Sequence, residues 1–361
     1  MNVSLIEVAN QFQLEGKVKD VRPLGEGLIN ETFFVETAAG NPDYILQRKN
    51  KNIFTNVPAM MDNISRVTEH IKKKVIAAGG NPLREALTVT LAVDGKLYYR
   101  DNKDEYWAAC VFINDTLAYH YADTPELAEQ GGRGIGKFQA MLSDMKEPLA
   151  DILPGFHNIR YRFKQWDEVL QKDPVGRKAK VAKEAEEVER RREEMLAFWT
   201  KVESGEIPTR VTHNDTKISN ILFDKQGNVL CVIDLDTVLN STCLNDYGDA
   251  IRSYANAGLE DDSNLSNVYL NIPIFEAYTK GYLAEAKSFL TPTEIEHLAF
   301  SARYLTYEQA LRFLMDYIAG DTYYKVKDDG HNLVRTAAQL KLLQSIENSY
   351  DRMNDIIHRY I

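Results

Sequence analysis

His213, Asp215, Lys217 and Asn220 follow one another in the order H-x-D-x-K-x-x-N inside VTHNDTKISNILFDKQGNVLCVIDLDT, residues 211–237. Asp234 comes later in the same segment, after an apolar run from Val229 to Ile233 that reads as a strand. A carboxylate at Asp215 can accept a hydroxyl proton and hold that oxygen in line with a phosphoryl group. Asn220 can offer a carbonyl oxygen and Asp234 an anionic oxygen, the hard donors that magnesium takes. Lys217 can counter charge on the group in transfer. The spacing therefore points to phosphoryl transfer from ATP with magnesium. His213 reads as a brace of the loop rather than an acid or base. Asp236 is either a second metal or substrate contact or a cap of the following turn. A bland reading makes HND a turn and IDLD a strand end with solvated carboxylates, but the combined spacing, with a strand between the acids, argues for chemistry.

A second candidate is LGEGLIN, residues 24–30. Gly25 and Gly27 lie between strand-like segments, where a glycine-rich turn can bring backbone amides close to phosphates. Asn30 stands where a G-x-G-x-x-G pattern has its last glycine. A plain β-turn explains the same residues. GGRGIG, residues 131–136, follows no strand and runs into a helix, so close helix packing is the better account of it.

These groups need elements to hold them. The chain has 361 residues, 44% of them hydrophobic, long for one core and comfortable for two. Residues 1–114 read as a β-rich, nucleotide-binding lobe. It opens with a helix carrying Leu5, Ile6, Val8, Ala9 and Phe12. A strand over Thr32 to Val35 is expected to pair as a hairpin with Tyr44 to Gln47, and a helix covers Val57 to Ala77. LTVTLAV, the turn DGK and LYYRD read as a second hairpin, before the apolar run YWAACVFIND. Residues 115–361 read as a larger helical lobe with the catalytic loop and the acceptor site. Residues 160–203 are expected to be helical and so charged that they pack only near Met195, Leu196, Phe198 and Trp199, and further helices are expected over 268–288, 292–319 and 332–359. The fold class expected is α+β.

Composition narrows the partners. A net charge of −10 argues against an obligatory nucleic-acid partner. No apolar run approaches a membrane span, and the N-terminus lacks the pattern of a signal peptide. Cys110, Cys231 and Cys243 have no metal-ligand spacing and read as reduced thiols, which suits a cytoplasmic setting. No obligatory protein partner is evident.

The chain resembles the aminoglycoside phosphotransferase-like branch of the protein-kinase-like superfamily, and within it the N-acetylhexosamine 1-kinases. The segments that carry this are Gly25 to Asn30, Tyr44 to Gln47, Asn50 to Phe54, Val211 to Leu222, Ile233 to Thr237, Asp246 to Arg252, Arg312 to Tyr324 and His331 to Leu342. The resemblance implies a two-lobed kinase-like fold and ATP-dependent phosphorylation of the C1 hydroxyl of N-acetylglucosamine or N-acetylgalactosamine. It implies Asp215 as base and Asn220 and Asp234 as magnesium ligands. Arg312 and Tyr323 become candidate sugar contacts, with a salt bridge from Arg312 to Asp316 as the competing account. By analogy the adenine lies near Phe112 to Asp115, with Phe112 and Asn114 among its contacts. One departure is Gln47, at the place where kinases carry a phosphate-binding lysine. Arg48 or Lys49 reaches in instead, or magnesium and backbone amides suffice. Two rival readings remain: a related kinase for homoserine, an amino alcohol or an aminoglycoside, and a catalytically silent binding protein, which only Gln47 supports.

Overall fold

The computed structural model describes residues 4–25 and 29–361, and the chain divides into two compact units. The first draws on residues 1–117, 144–153 and 222–240, the second on 118–143, 154–221 and 241–361.

The first unit is built on an antiparallel sheet of β1 (Val18–Pro23), β2 (Glu31–Thr37), β3 (Tyr44–Lys49), β4 (Val89–Thr90), β5 (Tyr99–Arg100) and β6 (Tyr106–Val111). The strand order is β1-β2-β3-β6-β4, with β5 also on β6. The expected pairing of β2 with β3 is present, with Phe33 opposite Leu46 and Val35 opposite Tyr44. Alternation then sends Phe33, Val35, Tyr44, Leu46, Trp107 and Ala109 into one core, closed by Val8, Ala9 and Phe12 from the N-terminal segment. Burying each of the larger aliphatic and phenylalanine side chains among these contributes roughly 1.5–3 kcal/mol. Gln47 and Lys49 take the opposite parity on β3 and so face away from that core.

The helix Val57–Ala77 starts where the sequence says it should. Asn56 caps it by accepting from the Ala59 N–H, and Pro58 sits in the first turn. Its Asn63 side chain bonds Ala150 in both directions, at 2.9 Å each, and donates to the Val238 carbonyl at 3.2 Å. One buried amide thus pins residues distant in sequence to the same unit.

The second hairpin differs from expectation. The turn forms, with Gly95 at φ +83° and the Ala92 N–H on the Lys96 carbonyl at 2.8 Å. Beyond it the two arms part. Residues 91–93 give their backbone groups to the N-terminal segment, through Gln13 N–H to Leu91 O and Val93 N–H to Gln11 O, both 2.8 Å. β4 and β5 each pair with β6 instead.

In the second unit the helices Pro125–Leu142 and Ile272–Ala286 approach at backbone distance. A Cβ on Gly132 would lie 2.2 Å from the Tyr278 carbonyl oxygen, and one on Gly281 would lie 2.0 Å from that of Glu129. The GGRGIG glycines are therefore packing residues. The charged stretch is not one helix. It breaks into Ile159–Lys172, Ala182–Glu189 and Arg192–Glu203, with Asp173 left-handed at φ +36° where the first ends. It is also anchored more widely than at its end, because Phe163, Trp166, Val181 and Val188 are buried as well. The helices expected over 292–319 and 332–359 break at His297 and Ser349, giving Pro292–Glu296, Leu298–Ala319, His331–Asn348 and Tyr350–His358. Among the described residues no helix is long and apolar enough to cross a membrane.

Candidate active site

The candidate catalytic residues follow the short strand Arg210–Thr212 and belong to the second unit. Asn214 has φ +65°, a left-handed turn that asparagine tolerates better than most residues. The turn brings Asp215, Lys217 and Asn220 together. The Lys217 ammonium lies 2.7 Å from Asp215 Oδ2. The Asn220 amide nitrogen donates to the Asp215 carbonyl at 2.8 Å and to Oδ2 at 3.1 Å. The amide nitrogen of Asn220 is thereby spent on Asp215, and its carbonyl oxygen remains as the ligand a hard cation would use. Burial pushes the Asp215 carboxyl up, but Lys217, with His213 and Asn220, outweighs it and holds the group below its ordinary range. Asp215 is therefore an ionised carboxylate at neutral pH. His213 is buried, and its Nδ1 accepts from the Asp215 N–H at 3.2 Å.

The loop is clamped by the helix Cys243–Tyr254, whose cap Thr242 accepts from the Leu244 N–H. Asp246 accepts from the Asn214 N–H at 2.7 Å, the His213 N–H at 3.0 Å and the Gln139 side chain at 2.9 Å. Asp249, one turn on, accepts from the Thr216 N–H at 3.0 Å and pairs with Arg252 at 2.8 Å. Burial is the largest influence on the Asp246 carboxyl and leaves it raised. The sequence reading assigned no role to Asp246 and Asp249. The signal was there: two acids three residues apart lie on one helical face. Between them Gly248 has no room for a Cβ, which would sit 2.2 Å from the Ser301 carbonyl oxygen.

In the first unit Asp234 follows the strand Val229–Val232 with φ +60° and leads into a short 3-10 turn, Leu235–Thr237. Asp236 is buried in that turn. Lys49 Nζ reaches both its oxygens, at 2.7 and 2.9 Å, and Asn30 Nδ2 donates to it at 2.6 Å. Lys49 also donates to Gln47 Oε1 at 2.7 Å, and Asn30 Oδ1 accepts from the Asn50 N–H at 3.0 Å. The buried cation near Gln47 is thus Lys49, while Arg48 pairs with Glu31 at the surface. Gly25 is left-handed, φ +68°, and no described residue other than its chain neighbours comes within 4 Å of where a Cβ on it would stand. Gly27 lies outside the described residues. The Phe112 ring packs edge-on to Phe34, its N–H donates to the Asp43 carbonyl at 2.8 Å, and the Asn114 carbonyl accepts from Arg84 at 2.9 Å.

The second unit also holds a pocket of about 240 Å³, lined by Arg162, Gln165, Arg312, Thr322, Tyr323 and Tyr324 among others. Arg312 does not pair with Asp316. Asp316 accepts instead from the backbone N–H groups of Thr322, Tyr323 and Tyr324, at 2.8 to 3.0 Å, and from Asn332 at 2.9 Å. The Arg312 guanidinium sits among the rings of Phe156, Tyr323 and Tyr324, 5.5 to 5.8 Å from their centroids.

Comparison with known proteins places this geometry in a family. In fold the chain is similar to a microcompartment-associated aminopropanol kinase, with a TM-score of 0.64 at 15% identity over 97% of this chain and 98% of the other. It is similar to an aminoglycoside phosphotransferase from Alicyclobacillus acidocaldarius, with a TM-score of 0.63 at 13% identity over 99% and 98%. It is also similar to a spectinomycin phosphotransferase solved with ADP and spectinomycin, with a TM-score of 0.58 at 12% identity over 98% and 100%. These identities speak to the fold, which is the α+β kinase-like fold. The family model for APH, the phosphotransferase enzyme family, matches residues 20–282, and the chain belongs to that family.

Proposed function

We propose that the protein is an ATP-dependent kinase that phosphorylates a hydroxyl group of a small molecule. The observation that carries this reading is the cluster of Asp215, Lys217 and Asn220 on a buried, doubly clamped loop. Asp215 takes the hydroxyl proton and holds the acceptor oxygen, which is positioning and general-base work. Lys217 offsets charge on the phosphoryl group in transfer. Asn220 is proposed as one magnesium ligand through its amide oxygen, and Asp234 as another through its carboxylate. A magnesium ion held by these residues would supply positive charge to the phosphate oxygens. Gly25, Gly27, Asn30, Phe112 and Asn114 are proposed as the nucleotide-side contacts.

For the acceptor, two readings have support. The similar solved structures are named for aminopropanol, aminoglycosides and spectinomycin. They favour a related small-molecule kinase, amino alcohols and aminoglycosides included, over any single sugar. The finer reading is phosphorylation of the C1 hydroxyl of an N-acetylhexosamine. It rests on the sequence segments given above and on the pocket that holds Arg312 and Tyr323. Arg162 and Arg312 line that pocket, Arg162 paired with Glu308, and the Asp316 oxygens are occupied by protein N–H groups. Hydroxyl and acetamido oxygens can accept from the Arg312 guanidinium, and the acceptor capacity of Asp316 toward an ammonium is already engaged. Arg312 and Tyr323 are the proposed acceptor contacts; Asp236, buried with both oxygens on Lys49 and Asn30, is not among them.

The test is an ATP-consumption assay with magnesium against both N-acetylhexosamines, their unacetylated parents, aminopropanol, ethanolamine, homoserine and an aminoglycoside, with the product read by phosphorus NMR. An acid-labile phosphate on C1 of the acetylated sugars supports the finer reading. Turnover of an amine alone keeps the kinase and removes the sugar. No turnover with ATP still bound removes both.

A further inference from the structure

His157 lies outside every motif used above, yet it touches the catalytic loop. It is buried and left-handed, with φ +54°, a backbone conformation uncommon for residues other than glycine. Its backbone carbonyl accepts from the Tyr304 hydroxyl at 2.7 Å, and that hydroxyl accepts in turn from the Ile159 N–H at 3.1 Å. Its ring packs against Phe156, centroids 4.2 Å apart. Nδ1 lies 2.7 Å from Glu308 Oε2, and Nε2 lies 3.2 Å from the backbone carbonyl oxygen of Asn214, the residue before Asp215.

Both partners of the ring can only accept. A peptide carbonyl has no proton to give. Arg162 donates to Glu308 Oε1 at 3.1 Å and Arg312 stands one turn along the helix, so this carboxyl, beside two guanidiniums, is ionised and can only accept. Both contacts are satisfied together only when both ring nitrogens donate. The charged and titratable groups around the ring are Glu308 on its own, Arg162 on Glu308 Oε1 at 3.1 Å, Arg312 one turn further along the helix Leu298–Ala319, and the Tyr304 hydroxyl on the backbone side. The N–H of that same peptide unit, on Asp215, is held by His213 Nδ1 at 3.2 Å, and the Asn214 N–H of the unit before it is held by Asp246. A peptide gripped at both ends has little freedom to swing, and Asp215 is the next residue.

We propose that His157, donating from both ring nitrogens and anchored by Glu308, is a positioning residue that fixes the direction of the Asp215 carboxylate. Through Glu308 it also ties the loop to Arg162 and Arg312, which line the pocket. The proposal rests on Asp215 being the base of the reading above. A misplacement of about 1 Å at a reacting group is enough to lose about a hundredfold in rate, so a single lost hydrogen bond here has a large kinetic reach.

The test has two arms on the full-length protein. The first needs no turnover. A long-range proton–nitrogen NMR spectrum at neutral pH, with the His157 signals assigned by their loss in His157→Gln, is expected to show both ring nitrogens protonated. A neutral tautomer would overturn the proposal. The second arm compares His157→Gln and Glu308→Gln with wild type on the acceptor that gives turnover. Both variants are expected to lose about ten- to a hundredfold in kcat with KM for ATP within about twofold. In the Asp215→Asn background the same substitutions are expected to cost almost nothing, because there is no base left to aim. Equal losses in both backgrounds, or a loss in KM for ATP alone, would make His157 a plain folding residue. If wild type turns over no acceptor, the kinase reading fails, and the first arm still decides the protonation of His157 on which the proposal stands.

Discussion

Lys49 and Asp236 form an ion pair whose side chains are 3% and 7% exposed, although 187 residues separate them. Removing one partner of such a pair leaves an uncompensated buried charge, a loss of about 3–5 kcal/mol. Replacing both by apolar groups of similar volume removes the penalty along with the attraction. Lys49→Met is therefore expected to lower the urea midpoint sharply, and Lys49→Met with Asp236→Leu to recover most of it. The recovery stays incomplete, because Asn30 loses its acceptor in the double variant. Denaturation curves of the three proteins check this. Equal midpoints for the single and double variants would mean that the charge itself is not what costs.

Asp215→Asn keeps the size and shape of the side chain and removes its basicity. The clamp on the loop runs through the backbone of His213, Asn214 and Thr216, not through the Asp215 side chain. The variant is thus expected to melt near wild type while turnover falls by about two to four orders of magnitude, the range for a general base. Calorimetry and a single-turnover assay separate the two effects. Near-wild-type turnover would remove Asp215 from that role.

Local features of this fold were legible where chemistry and spacing coincide. The hairpin of β2 and β3, the helix Val57–Ala77 and the reading of the GGRGIG glycines as packing residues all follow from period, caps and turn residues. The second hairpin misled because its turn is sound while its arms find better partners elsewhere, and local sequence does not report a competitor such as Gln11 to Gln13. The same limit hid the site's supports. Nothing near Asp215 in sequence announces Glu308 or His157, and the paired acids Asp246 and Asp249 signal a helical face without saying what it holds. Each acts across a long separation, and each reads locally as an ordinary charged residue of a helix or loop. Lys49 was visible as a candidate for the missing lysine, but its partner in the turn after Asp234 was not.

Gly132 and Gly281 set a stability prediction that runs against helix propensity. Alanine in a helix interior gains about 1 kcal/mol over glycine. At Gly132 the added Cβ would meet the Tyr278 carbonyl oxygen at 2.2 Å and the Tyr282 nitrogen at 2.8 Å, both backbone atoms that cannot turn aside. Forcing two packed helices apart costs about 1–3 kcal/mol or more, so the clash wins. Because both clashing atoms are backbone, the upper end of that range applies, and Gly132→Ala is expected to be destabilising by a net of about 2 kcal/mol. Gly95→Ala meets open space and bears only the left-handed strain of its φ of +83°, about 1–2 kcal/mol. A Gly132→Ala protein as stable as wild type would show that the two helices have slack.

If Asp215 is the base, Lys217 is expected to set where the acid limb of activity falls. Asp215 works as a base only when ionised, so activity is lost as pH falls through its pKa. Burial raises that pKa, and Lys217 is the largest of the groups that bring it back down, ahead of His213 and Asn220. In Lys217→Met the burial effect persists and its main opponent is gone, so the pKa moves up and the acid limb of kcat/KM moves to higher pH. Lys217→Arg keeps a cation within reach and is expected to leave the limb close to that of wild type. A lower plateau at neutral pH is expected in Lys217→Met as well, because the same ammonium is the one proposed to offset charge on the phosphoryl group. The two effects separate in a full pH profile: the plateau reports charge in the transition state and the limb reports the protonation of Asp215. A lowered plateau with an unmoved limb would leave Lys217 its role in transfer and take away its hold on the base.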